Sequence, residues 1–297
     1  MTFDLFLQYL TNGISLGSLY ALIAIGYTMV YGILKLINFA HGEIFMMSVY
    51  FAFYGVAVFS MPWYVSAIVA IAITALLGMG MERAAYKPLR ESPRITIMVS
   101  AIGASFFLQN LAVVLFGGRP KAFPDISLLT DIMHVGAVTF QRLTVIIPVV
   151  TTILLFMLLY LVNNTKTGMA MRAVSRDYET ARLMGVDVNR TITITFGIGS
   201  ILAAIGGIMW GAKFPQVAPF MGVMPGLKCF IAAVVGGIGN ITGAIIGGLI
   251  LGIGEIMLIA FIPDLTGYRD AFAFILLIGI LLFRPTGIMG EKISEKV

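Results

Sequence analysis

The chain has 297 residues, 59% of them hydrophobic and only 11% charged. A soluble domain carries about 25% charged residues, so a water-facing globular surface is excluded and the chain reads as an integral membrane protein. The net charge of +5 is the Lys and Arg excess that collects in cytoplasmic loops, not a nucleic-acid signal, and the single cysteine, Cys229, excludes an internal disulfide.

The opening MTFDLFLQYLTNG lacks a basic segment and a clear small-residue cleavage site, so it does not read as a removable signal peptide. The first apolar span is expected from about Ile14 to Leu34. Lys35 and a polar cluster of Asn38, His41 and Glu43 follow. A second span covers Ile44 to Met61, where Pro62 breaks it, and a third covers Trp63 to Met81. After the polar stretch 82–94, a fourth runs from Ile95 to Phe116. A long connection, 117–142, precedes a fifth span over Leu143 to Val162. The longest polar interruption is 163–190, with the basic residues Lys166, Arg172, Arg176, Arg182 and Arg190; Asp177 to Gly185 inside it reads as a short helix ended by glycine. A sixth span covers Thr191 to Ala212.

The region from Gly226 to Ile262 is apolar but too long for one span of about 20 residues. Its GGIGN sequence, Gly236 to Asn240, is a turn signal, so a short segment enters before it and a full helix leaves after it. A last span covers Ala271 to Phe283. The fold class is therefore all-α and polytopic. About eight membrane-embedded helical segments are expected, including a glycine-rich broken or re-entrant pair. They form a single transmembrane domain over 1–297, with the polar, basic loop at 163–190 as a handle for a soluble partner.

Of the 19 Lys and Arg, 12 fall in 82–94, 163–190 and the C-terminal tail (Arg284, Lys292, Lys296). These regions are expected to be cytoplasmic, and the C-terminus with them. The side of the N-terminus depends on whether the first apolar stretch is unbroken or interrupted at its glycines.

Glu43 and Glu255 are the acids nearest membrane depth. Ionisable groups there are expensive and face a cavity or a partner. Glu43 has the simpler alternative of being solvated at a helix boundary, where Asn38 would cap the following helix. His41 is either a proton carrier or a hydrogen-bonded anchor. Gly239, Gly243 and Gly247 follow the small-xxx-small spacing, as do Gly248 and Gly252. That spacing serves either packing within the subunit or a path or subunit interface. Broken helices would offer free amides to a carboxylate, with Gly13, Ser15, Gly17 and Ser18 as one candidate site and Gly236, Gly237, Gly239 and Asn240 as another. No HExxH, GxSxG, Walker lysine loop or paired CxxC occurs, so no ATP hydrolysis is expected from this chain.

Within the polar loop, Glu179-Thr180-Ala181 with Gly185 gives E-x-A-x3-G. It resembles the cytoplasmic loop of ABC importer permeases whose short helix docks in an ATPase groove, although Thr180 replaces the middle alanine. Further blocks extend the resemblance. They are Gly26-Tyr-Thr-Met-Val-Tyr-Gly-Ile-Leu, Ile37-Asn-Phe-Ala-His-Gly-Glu43, Glu82-Arg-x-Ala-Tyr-x-Pro-Leu-Arg90, Met171-Arg172-Ala173, Ala232 to Leu249 and Arg284-Pro-Thr-Gly-Ile288. Together they are similar, in order and over essentially the whole chain, to the branched-chain amino acid permease family of the LivH type. The resemblance implies the following. The chain is a transmembrane permease subunit of an ATP-driven importer for leucine, isoleucine and valine, in the bacterial inner membrane. Its partners are a homologous LivM-type permease, two ABC ATPases and a periplasmic amino-acid-binding protein. It binds no cofactor itself, ATP and Mg lying on the ATPases. Arg172, Asp177, Glu179, Ala181 and Gly185 would form the coupling element. Ser15, Ser18, Asn38, His41, Glu43, Gly236, Gly237, Gly239, Asn240 and Glu255 are path candidates chosen on physical grounds. Alternatives are a permease for another amino acid, urea or a short amide, or an ion-coupled secondary transporter with Glu255 as the coupling acid.

Overall fold

A computed structural model describes residues 3–135 and 138–290; the tail lysines Lys292 and Lys296 lie outside them. Twelve helices account for most of the described chain. They are α1 (Phe3–Leu34), α2 (His41–Ala57), α3 (Trp63–Met81), α4 (Arg94–Phe116), α5 (Ser127–Thr130), α6 (Arg142–Asn164), α7 (Lys166–Arg176), α8 (Tyr178–Leu183), α9 (Val188–Lys213), α10 (Val223–Gly236), α11 (Ile241–Phe261) and α12 (Arg269–Phe283). Seven helical segments among the described residues are long and apolar enough to cross a membrane, α12 being counted with the 3₁₀ turn Pro263–Tyr268 that leads into it; α2 and α10, of 17 and 14 residues, are shorter. Two small antiparallel pairs complete the fold: β1 (Lys121–Ala122) with β4 (Gln216–Val217), and β2 (Ile132–Val135) with β3 (Val138–Gln141).

The hub is α1. It is one unbroken helix of 32 residues, and Gly13 and every residue from Ser15 to Val30 are buried. At 1.5 Å per residue it is about 48 Å long, and α11, α9, α10 and α6 pack around it. The expected start at Ile14 is therefore too late. Asp4, Gln8, Thr11 and Asn12 interrupt the apolar run without interrupting the helix, whose first turns meet the hairpin, where Gln8 donates to the Thr139 carbonyl at 2.9 Å.

Helix α11 runs antiparallel to α1 at very short range. Built on Gly248, a Cβ would lie 2.5 Å from the Ala21 nitrogen, and one on Gly252 would strike the Gly17 backbone. On the other face of α11, Gly243 and Gly247 meet the backbones of Gly236 and Ala232 in α10. Gly243, Gly247, Gly248 and Gly252 thus serve packing inside this chain, where dispersion between close backbones replaces the hydrophobic drive that lipid cannot supply, whereas a Cβ on Gly239 would meet nothing within 4 Å.

These contacts define two ends. At the hairpin end are the start of α1, β1 to β4, Lys213 and the 3₁₀ turn Pro263–Tyr268. At the loop end are Gly32 facing Gly239, the segment 82–94, and α7 and α8. The GGIGN stretch is the expected turn: Gly237 and Gly239 have φ of 110° and 98°, which disfavours any side chain. Asn240 caps α11, its Oδ1 accepting from Gly243 N at 3.0 Å. From α10, Val235 and Gly236 accept through their carbonyls from Ile288 N and Met289 N, both at 2.9 Å. The start of α1 and the described C-terminal residues lie at opposite ends.

The outer faces of α4, α6 and α12 expose large apolar side chains, including Phe106, Phe107, Val114, Phe156, Met157, Ile275 and Phe283. Such faces match hydrocarbon or another apolar helix.

Candidate functional site

At the loop end, the polar stretch forms the expected short helix, α8, and a second one, α7, ahead of it. Thr165 caps α7, its hydroxyl accepting from Gly168 N at 3.1 Å. Asp177 breaks the helical path with an extended backbone and caps α8, its Oδ1 accepting from Glu179 N and Thr180 N at 3.0 and 3.1 Å. Each such cap stabilises a helix by about 1 kcal/mol. Gly185, at φ 82°, ends the turn with open space around its Cα. Asp187 then caps α9, accepting from Arg190 N at 3.0 Å. Arg172 donates to the Val162 carbonyl, pinning α7 to the end of α6.

One face of this unit is anchored. Ala181 and Val174 are buried against Val188, Ile192, Phe196, Tyr86 and Val30. The other face is open, with Glu179 exposed. Leu183 and Met184 are 87% and 80% exposed. Two large apolar side chains at the tip of a polar helix form a knob that a partner groove can cover. Of the expected coupling residues, Asp177 and Gly185 shape the helix, Ala181 roots it, and Glu179 lies on its free surface. The sequence reading did not single out Leu183 and Met184.

Beneath it lies a second layer. The end of α3 widens into a π-helical turn, Glu82–Tyr86, which turns Glu82 inward until it is fully buried. Arg90 pairs with it, and Thr193 donates to its Oε2 at 2.7 Å. Arg90 also donates to Asn189 at 2.6 Å. The 82–94 segment is thereby tied to the first turns of α9, immediately after the loop.

Deeper, at the start of α2, Asn38, His41 and Glu43 are all buried. Glu43 is not solvated as the simpler expectation had it. Its Oε1 accepts from Gln109 at 2.7 Å and from Ser105 at 3.3 Å, both on α4. Asn38 does not cap α2: its Oδ1 accepts from Tyr86 at 2.8 Å and from Ala40 N. The His41 ring lies 4.5 Å from that of Tyr27, and its Nε2 has no hydrogen-bond partner among the described residues.

The third constellation surrounds Glu255. Its Oε1 is 2.5 Å from Lys228 Nζ, and its Oε2 accepts from the Tyr20 hydroxyl at 3.0 Å. Lys228 also reaches Asp270 at 2.7 Å, and Arg269 approaches Glu255 at 3.8 Å. Glu255 is fully buried and Lys228 nearly so. Two cations and two acids from α10, α11 and α12 therefore balance each other near the middle of α1. Beside them are two adjoining cavities of about 410 and 430 Å³, which share Phe214 and Arg269 in their linings.

Two expected features do not form. Around Gly13 to Ser18 the helix is continuous, so no free amides await an anion; Ser15 instead accepts from Lys213 Nζ at 2.6 Å, and the Ser18 carbonyl accepts from Thr151. At the GGIGN turn, Asn240 occupies the start of α11 itself and donates to the Met289 carbonyl at 3.1 Å.

The family model for the branched-chain amino acid transport system permease component matches residues 9–281. The high-affinity branched-chain amino acid transport system permease protein LivH of Escherichia coli (strain K12) is 43% identical over 305 aligned positions, covering 98% of each chain. The corresponding BraD of Pseudomonas aeruginosa is 42% identical with the same coverage. A probable branched-chain amino acid transport permease, LivH of Methanocaldococcus jannaschii, is 28% identical over 95% of this chain and 91% of its own.

Proposed function

The chain belongs to the branched-chain amino acid transport permease family, and we propose that it works as one half of the translocation path, driven from outside itself. It is a membrane-embedded permease subunit of an ABC importer for branched-chain amino acids, a transport component and not an enzyme. Its partners in this proposal are a homologous LivM-type permease, two ATPases carrying ATP and Mg, and a periplasmic binding protein that delivers leucine, isoleucine or valine. The loop end faces the cytoplasm, and with it the C-terminus; the hairpin end faces the binding protein.

The observation that supports the coupling best is the two-faced α7–α8 unit. A knob exposed as fully as Leu183 and Met184 is a grip for a soluble partner. Its root on Ala181, packed with Tyr86, Ile192 and Phe196, carries any displacement into α3 and α9. The buried Glu82–Arg90 pair stiffens that joint, since separating a buried pair strands a charge at several kcal/mol. ATP-driven closure of the ATPases would thus reach the membrane helices through a few packed side chains rather than a flexible loop.

Co-purification of the ATPases tests this docking. Glu179→Arg changes only exposed surface, and Gly185→Trp both fills the open space and strains a φ of 82°. Either change is expected to release the ATPases and abolish ATP-dependent leucine uptake while the permease still inserts. Intact association and uptake in both variants would refute the docking role.

A further inference from the structure

The 410 Å³ cavity lies between α1, α9, α10 and α12, beside the Glu255 cluster. Pockets of this size hold small metabolites. Its lining divides into two chemistries. Tyr20, Trp210, Phe214, Met224 and Pro225 make an aromatic and apolar wall. Lys228, Arg269 and Asp270 add charge to the same lining.

The charged groups are not all spent on one another. Asp270 gives one oxygen to Lys228 at 2.7 Å and is 51% exposed. The closest acid to Arg269 is Glu255 at 3.8 Å, and its Nε, buried, has no hydrogen-bond partner among the described residues. A guanidinium with spare donors binds a carboxylate in a forked, charge-assisted way. The second oxygen of Asp270 is an acceptor for an ammonium. The cluster is already neutral, with two cations and two acids. A zwitterion leaves it neutral, whereas a lone anion or cation would add an uncompensated charge to a partly desolvated site.

We infer that this cavity is the permease's own binding site for a free, zwitterionic aliphatic α-amino acid: Arg269 takes the carboxylate, Asp270 the ammonium, and the wall of Trp210, Phe214 and Met224 the side chain. This rests on the importer reading and deepens it. It also separates amino acids from urea and neutral amides, which carry neither the carboxylate nor the ammonium that these two groups would pair with.

The test uses the complete importer in lipid vesicles, with Gly267→Cys as a reporter. Gly267 lines the cavity, and a Cβ there meets nothing within 4 Å. The native Cys229 is fully buried, so a charged thiol reagent reads the introduced thiol. With L-leucine at ten times its half-protecting concentration, labelling should slow about tenfold. Leucinamide, which lacks the carboxylate, and 4-methylvalerate, which lacks the ammonium, should give no protection at that concentration. Arg269→Gln should remove the protection by leucine, and Arg269→Lys should retain part of it, an outcome that a purely structural arginine would not give. Thr266→Cys supplies a second reporter if the first disturbs assembly. Labelling unaffected by leucine at either reporter, or equal protection by leucine and leucinamide, would overturn the assignment. Uptake in the same vesicles reports the importer separately: leucine uptake without protection overturns this cavity alone, and absence of uptake in wild type overturns the importer reading.

Discussion

Replacing Lys228 by methionine strands a buried acid, and the size of the effect can be worked from its surroundings. Glu255 is fully buried, with Lys228 Nζ 2.5 Å from Oε1 and the Tyr20 hydroxyl 3.0 Å from Oε2. Methionine keeps most of the lysine stem and deletes the charge, so packing between α10 and α11 changes little. The remaining cation, Arg269, is 3.8 Å from the other oxygen and partly exposed. Asp270 is half-exposed, and losing its share of Lys228 costs little. The stranded carboxylate dominates, at about 3–5 kcal/mol for a broken buried pair, a fall on the order of 10 °C in melting temperature. Adding Glu255→Gln removes the charge while Tyr20 keeps an acceptor. The double variant should recover all but about 1 kcal/mol, as buried pairs replaced together often do. A double-mutant cycle on the purified permease, read by thermal unfolding, measures the coupling. Equal melting temperatures for wild type and Lys228→Met, or a double variant no better than Lys228→Met, would refute the charged centre as one electrostatic unit.

The remaining perturbations probe the other parts of the molecule. Leu183→Glu with Met184→Glu should leave the melting temperature within about 1 °C, since both side chains are exposed, yet abolish ATPase retention on an affinity column; retention at the wild-type level would argue against the knob. Asp177→Ala removes the cap of α8, and uptake should fall without vanishing, for a loss of about 1 kcal/mol. Gly248→Val forces a Cβ to 2.5 Å from the α1 backbone and should prevent stable insertion, whereas Gly103→Ala, with nothing within 4 Å, should be neutral or stabilising by about 0.5 kcal/mol. Membrane yield and unfolding of the two glycine variants side by side would reveal whether close backbone contact is the reason for the glycines.

Much of the architecture was legible because apolar span length and punctuating residues are local properties. Trp63 and Met81 bound α3 as expected, and Gly236 to Asn240 turn where the glycines cluster. The start of α1 was missed for a physical reason: polarity marks where a helix leaves an apolar layer, not where it ends. The short helix expected over Asp177 to Gly185 is α8, but α7 ahead of it was not read, because Asp177 both stops α7 and starts α8. The site was harder. Glu255 stood out as an acid in an apolar run, but its partners Tyr20, Lys228 and Arg269 come from three other elements, and no spacing rule joins them. Glu43 and Glu82 were placed at polar boundaries and proved buried, the latter through a π-helical turn that residue pattern alone does not announce.

We propose that this chain conducts branched-chain amino acids under power supplied by ATPases docked at α7–α8. Uptake of labelled leucine into vesicles holding both permeases and both ATPases, with the binding protein outside and ATP inside, tests it most directly. Uptake is expected to require ATP and the binding protein, to be competed away by isoleucine and valine but not by urea, and to be abolished by Leu183→Glu with Met184→Glu. Uptake driven by an ion gradient without ATP, or undiminished in that variant, would contradict it.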